Sequence, residues 1–185
     1  MNNIDIGLKK NEANYVPLTP ITFLEKAAAT FPNKKALIYN KKSFTWSDTY
    51  FRCKRLASAL LSRGMKRGDT IGYLAMNTPE LYEAHFGIPM AGMILNAMNY
   101  RLDPKTLSFI IDHSETKLLV TDLEFLSTAE KAVALSNSQP FIIVIVDIEA
   151  GFKNDSKYQD YEELLSSGDP NHIESILEDE WETIS

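Results

Sequence analysis

Apolar residues follow two rhythms along this chain. One is a stripe at helical spacing and the other is a set of short unbroken runs. Thr45 opens the clearest stripe. It stands three residues before Asp48, in a capping-box arrangement, and Cys53, Leu56, Ala57, Leu60 and Leu61 then follow on one face. Gly64 suits the end of that helix, and Lys66-Arg67-Gly68-Asp69 reads as a turn. The run 71–76 predicts a strand. Thr78-Pro79-Glu80 predicts a helix start, with a cap residue, a proline at the first helical position and an acid facing the dipole. That helix is apolar on all sides in its second half, which places it, and His85 within it, in the interior. Pro89 should loosen its last turn, and Gly92 ends it.

The same alternation continues. Residues 94–98 predict a buried strand, and Asp103-Pro104 repeats the cap-plus-proline signal for a helix ending near His113-Ser114. Residues 117–121 predict a strand, and Asp122 is the expected cap of a helix over 124–135. The run 141–146 is β-branched without alternation, as a strand buried on both faces requires. Upstream, Thr22 is the expected cap of a helix over 23–30, and a hairpin is expected around Asn40-Lys41. Helices and strands in strict alternation argue for an α/β fold: a doubly wound, mostly parallel sheet with flanking helices. The expected division is an extended N-terminal arm over 1–20, an α/β subdomain over 21–147, and an acidic irregular tail over 148–185. The tail carries at most one short helix, near Tyr161.

Charge sharpens that division. The net charge is -6, but residues 147–185 hold 12 acids against 2 bases, and residues 1–146 carry a mild excess of bases without clustering. No basic stripe invites nucleic acid. No apolar run approaches the roughly 20 residues of a membrane helix, so no transmembrane segment is expected. The N-terminus lacks the basic-then-apolar pattern of a secretory signal. A single Cys53 excludes an internal disulfide and fits a reducing, cytoplasmic setting.

Candidate chemistry is sparse. Gly64, Gly68 and Gly72 are evenly spaced, but they lie between a helix and a strand, the wrong order for a phosphate cradle. Cys53 sits on the apolar stripe and reads as a small core residue. His85, His113 and His172 fit no zinc spacing, and no metal site is expected. Asn96, Asn99 and Arg101 close a strand, where ligands bind in open α/β sheets. They either stitch the loop to the next helix or, with His85, shape an acyl or CoA channel.

Several separated segments resemble, in order, the early part of the adenylate-forming acyl-CoA synthetases, the acyl-activating enzymes of the AMP-binding family. They are Asn11-Glu12-Ala13-Asn14-Tyr15-Val16-Pro17-Leu18-Thr19-Pro20, Phe44-Thr45-Trp46-Ser47-Asp48, Gly68-Asp69, Asn77-Thr78-Pro79-Glu80, residues 87–104, and Asp179-Glu180-Trp181-Glu182-Thr183-Ile184-Ser185. The wording over 87–104 is similar to the branch acting on short, medium-chain or aromatic acids and to the methylmercaptopropionate-CoA ligases. The resemblance implies a parent that joins a carboxylic acid to CoA through an acyl-adenylate, using ATP and Mg²⁺ and releasing AMP and pyrophosphate. It also implies that this chain is part of the parent's large N-terminal domain. The last segment is similar to the lead-in to the family's phosphate-binding loop, which lies beyond Ser185. No catalytic or cofactor-binding residue is carried over, so the chain alone is expected to be inactive. The competing reading is a stand-alone, non-catalytic α/β binding or interaction module. Were strand 141–146 left uncovered, it would drive aggregation, and Ile143→Lys would relieve it.

Overall fold

Two hydrophobic clusters, on opposite faces of one parallel sheet, organise the chain. A computed structural model describes residues 11, 14–153, 155–172, 177, 179–181 and 183–185. The arm expected over 1–20 thus lies largely outside the described residues. From Tyr15 to Thr19 it has no regular element, and Leu18 donates its N–H to Glu180 Oε1 at 2.9 Å.

Helix α1 (Pro20–Thr30) begins earlier than residue 23, because Thr19 is its cap. Its hydroxyl receives the Thr22 N–H, and Pro20 takes the first helical position, where a missing N–H costs nothing. Strands β1 (Lys35–Tyr39) and β2 (Lys42–Thr45) pair antiparallel about Asn40, whose φ of 50° is the left-handed conformation asparagine tolerates. The hairpin leads into α2 (Trp46–Ser62), which carries the full capping box expected of Thr45 and Asp48. Hydrogen bonds from the Thr45 backbone and hydroxyl hold the Asp48 carboxyl below its ordinary value.

The sheet follows. Strands β3 (Thr70–Leu74), β4 (Ile94–Ala97), β5 (Thr116–Asp122), β6 (Phe141–Ile145) and β7 (Gln159–Asp160) lie in the order β4-β3-β5-β6-β7, every pair parallel. Helix α3 (Pro79–Met90) carries the chain from β3 to β4, and α4 (Pro104–His113) carries it back past β3 to β5. Helix α5 (Leu126–Leu135) then leads to β6. The strand order reverses between β3 and β5, so α3 packs with α1 and α2 on one face while α4 packs with α5 on the other.

Some expectations need correction. Asp122 caps no helix; a 3₁₀ turn, Leu123–Phe125, intervenes before α5, and the Asp122 carboxylate turns to the Met76 N–H at 2.6 Å. Strand β4 is the edge of the sheet among the described residues and only partly buried, because the crossover through α4 places β5 on the far side of β3; the Ile184 carbonyl accepts the Leu95 N–H. At Pro89 the last turn of α3 tightens, with the Ala91 N–H reaching Ile88 O.

Residues 148–185 hold more order than an irregular acidic tail. A 3₁₀ turn, Ile148–Ala150, leads to β7 and then to α6 (Tyr161–Ser166). Tyr161, Leu164 and Leu165 recur at helical spacing inside the charge run and enter the main cluster beside α2. Gly168 follows so close to α2 that a Cβ there would lie 2.1 Å from Arg55 O, and Asp169 donates its N–H to Ser58 Oγ. Neighbours β5 and β7 therefore enclose β6, and Ile143 is 2% exposed rather than free to aggregate.

That burial reverses the expected effect of Ile143→Lys. An ammonium placed there loses its hydration without a partner, so the substitution should cost about 3 kcal/mol or more and lower the urea unfolding midpoint. A midpoint unchanged from the parent chain would mean that β6 is not packed as described.

Candidate functional site

In a doubly wound sheet the carboxyl ends of the strands where the order reverses are the natural binding edge. Here those ends belong to β3 and β5, with β6 beside them. Leu74, Asp122 and Ile145 are the last strand residues, and the hairpin residue Tyr39 leans over them. A pocket of about 160 Å³ lies between, lined by Tyr39, Met76, Thr78, Asp122, Asp147 and Phe152 among others. The Tyr39 hydroxyl donates to Asp147 Oδ2. That bond, with burial, pushes the phenol up to about 12. Burial pushes the Asp122 carboxyl up to about 6, against the pull of the Met76 N–H, and the charges of Glu80, Asp147 and Glu124 add to the rise. Thr78 has the backbone of a helix cap, yet its hydroxyl caps nothing.

A second cavity of about 300 Å³ adjoins, between the hairpin and α3, lined mainly by Leu37, Ile38, Pro79, Tyr82 and His85. His85 is therefore exposed, not interior: α3 buries Glu83, Ala84, Gly87 and Ile88 and turns His85 outward. Its Nδ1–H donates to Leu81 O at 2.7 Å, within its own helix. Asn99 and Arg101 are also exposed and lie at the far edge, after β4. Asn99 Oδ1 accepts the Arg101 N–H, and the Arg101 guanidinium lies 5.6 Å from the Tyr100 ring, which stacks on Phe125. Asn96 donates to Ser114 Oγ. Asn99 and Arg101 thus bond within their own turn while Asn96 reaches the end of α4, and the residues lining the cavity beside His85 do not include Asn99 or Arg101.

Behind the edge runs a polar network that the sequence does not announce. Arg52 of α2 donates from Nε to Glu83 Oε1 at 2.5 Å and from NH2 to Glu83 Oε2 at 3.2 Å. It also reaches both carboxylate oxygens of Glu162 on α6. The Tyr161 hydroxyl donates to Glu83 Oε2 at 3.1 Å, and the Cys53 thiol points to Glu83 O. Glu83 is 1% exposed. Burial pushes its carboxyl up to about 7, and the charge and hydrogen bonds of Arg52 keep it from rising further. Burial also pushes the Cys53 thiol well up, so it is an inert core residue.

With this geometry in place, comparison with known proteins decides the family. The model of the family described as "AMP-binding enzyme" matches residues 24–177, from within α1 to beyond α6. The chain belongs to the AMP-binding enzyme family. A peroxisomal trans-cinnamate:CoA ligase of Petunia hybrida is 42% identical over 192 residues, covering 96% of this chain and 34% of the relative. A peroxisomal butyrate–CoA ligase of Arabidopsis thaliana is 46% identical over 164 residues, covering 86% and 29%. Among solved structures, an anthranilate CoA ligase in complex with anthranoyl-AMP superposes with a TM-score of 0.78 at 20% identity, covering 90% of this chain and 32% of that one, a likeness of fold. This AMP-binding family member thus spans about a third of the length of the curated relatives it matches.

AMP-binding CoA ligases in general use ATP, CoA and Mg²⁺. The residues at the sheet edge of this family member do not fit a nucleotide or its metal. Asp122, Asp147, Glu80 and Glu124 would repel a triphosphate, and neither Lys nor Arg lines the pocket among them. Gly68 donates its N–H to Gly92 O, tying the loop before β3 to the loop before β4 instead of cradling a phosphate. Among the described residues, no group of three or more His, Cys, Asp or Glu could hold a metal ion, and no helix is long and apolar enough to cross a membrane.

Two measurements test the buried network. Arg52→Ala strands Glu83 in the interior and should cost about 3–5 kcal/mol in urea unfolding. The second test is pH dependence. Glu83 ionises near 4.5 in the unfolded chain but near 7 when folded, so its contribution to stability falls as pH rises across that window and levels off above it. Glu83→Gln should remove about 1–3 kcal/mol of the stability change across that window; a pH dependence identical to that of the unaltered chain would rule out titration of Glu83 there.

Proposed function

We propose that this chain forms the early α/β unit of an ATP-dependent acid–CoA ligase, and that the unit builds the scaffold without holding the reacting groups. The observation that carries the proposal is the family match across 24–177 of a unit whose ligand-facing edge is acidic. The parent reaction is acid, ATP and CoA to acyl-CoA, AMP and pyrophosphate, through an acyl-adenylate. The relatives named above act, by their names, on cinnamate and butyrate, which supports an aromatic or short-chain acid as substrate. ATP, Mg²⁺ and CoA are assigned to polypeptide outside this unit. A buried, unpaired Cys53 suits a reducing compartment, for which we take the cytoplasm, although both relatives are peroxisomal by name.

The reading of a stand-alone interaction module has less support, since identity to the Petunia ligase runs through 96% of the chain. Two assays separate the readings. The purified chain should release no pyrophosphate from ATP on addition of cinnamate, butyrate and CoA. Grafted in place of the matching third of the Petunia ligase, it should retain thioester formation within about tenfold of the parent, about 1.4 kcal/mol in the barrier. Turnover by the chain alone would refute the scaffold role, and a folded but dead graft would refute the assignment to a ligase.

A further inference from the structure

Two residues at the reversal of strand order should be helix caps and are not. Thr78 stands at the start of α3 with extended backbone and makes no capping bond. Asp122 precedes the turn after β5 and makes none either. Each residue is 6% exposed, and each has one side-chain oxygen sealed from water and without a partner: Thr78 Oγ1 and Asp122 Oδ1. A buried oxygen left unpaired costs about 1–3 kcal/mol, more when charged, so two in one place call for an explanation. Both residues line the 160 Å³ pocket. Space and negative charge therefore lie beside two unmet acceptors.

We propose that the pocket at the carboxyl ends of β3, β5 and β6 is a receptor for a cationic nitrogen head group, an alkylammonium or a guanidinium, held by Asp122, Thr78 and Asp147. Such a group brings N–H donors that both orphan oxygens can accept. It brings positive charge to a site where Asp147, Glu80 and Glu124 act on Asp122. Lys42 and Lys153 line the adjoining groove rather than this pocket, so neither already fills it. A water molecule would satisfy the hydroxyl but leave the carboxylates unneutralised. Met76, Ile145 and Phe152 give the wall an apolar side for the carbon stem of the cation. Met76 and Phe152 are exposed, and binding requires the lining to shift so that the sealed oxygens open. Beyond the chain itself, the cation has two sources: a lysine or arginine of the remaining ligase polypeptide, or a free small-molecule amine.

The test is an amide NMR titration of the 185-residue chain with n-propylammonium chloride at pH 7. Sodium chloride and neutral n-butanol serve as controls. The Met76 amide, which donates to Asp122, and the Thr78 amide are the reporters. Saturable shifts with the ammonium alone, weakened at least tenfold by Asp122→Asn and by Thr78→Val, are expected. Affinity should rise as pH climbs through about 6, where Asp122 ionises. Absence of saturation, equal shifts with butanol, or an affinity indifferent to both substitutions would overturn the proposal. Repeating the titration on the Petunia graft identifies the source. A site already filled by a side chain no longer answers to the probe, whereas a small-molecule site still does. The ligase assignment is not needed for the first titration, so a dead graft leaves that result standing.

Discussion

The arrangement of this chain depends on the contact between Arg52 and Glu83. It is the place where α2, α3 and α6 meet, and the charge of Glu83 is almost wholly withdrawn from water. Hydrophobic replacements at such a site often do as well for stability, so the pair is weak evidence of added strength. What it provides is register. Arg52 can satisfy Glu83 only when α3 lies at one height along α2, and it reaches Glu162 only when α6 follows β7 back to that place. The exposed arm of the fork, to Glu162, contributes under about 1 kcal/mol by itself. Its role is to direct the last helix, whose Tyr161, Leu164 and Leu165 then supply the burial. Gly87 completes the junction. A Cβ there would come within 2.9 Å of Cys53 O, so α2 and α3 approach at a distance that only glycine permits.

Much of the fold was legible because its punctuation is local. Thr45 with Asp48, Thr78 before Pro79, and Asp103 before Pro104 all mark real helix starts, and the apolar runs reaching Asp122 and Val146 mark strands β5 and β6. What was not legible depends on partners distant in sequence. Asp122 looks like a cap in isolation; in the sheet it sits beside the end of β3, and the unpaired Met76 N–H is the better donor. His85 reads as interior because its neighbours are apolar, but helical geometry gives that rotation to solvent while Glu83, two residues earlier, goes inward. Nothing local pairs Glu83 with an arginine 31 positions away. The acidic run after Asp147 hid a buried stripe of three residues, since composition averages over a face that periodicity would have separated.

The same asymmetry applies to the candidate site. Asn99 and Arg101 stand at a strand's carboxyl end, but they follow the edge strand, whereas ligands favour the reversal point. The residues that do converge there, Tyr39, Thr78, Asp122 and Asp147, come from four separate elements. The one available clue was that two apolar runs each reach an aspartate: Asp122 ends β5, and Asp147 lies two residues after β6. In a parallel sheet those ends lie side by side, so the two acids imply a shared negative edge once the fold class is accepted.

That negative edge also separates fold from chemistry. A doubly wound sheet is a frequent host for nucleotides, and family membership alone would invite placing ATP at this one. The electrostatics argue otherwise. Burial and neighbouring acids already push Asp122 toward its neutral form. A triphosphate brought to the same edge would force its protonation and still gain no lysine or arginine from the pocket wall. The energetic preference at this edge is for a positive group. An α/β unit can therefore belong to a nucleotide-using family while its own sheet edge favours the opposite charge.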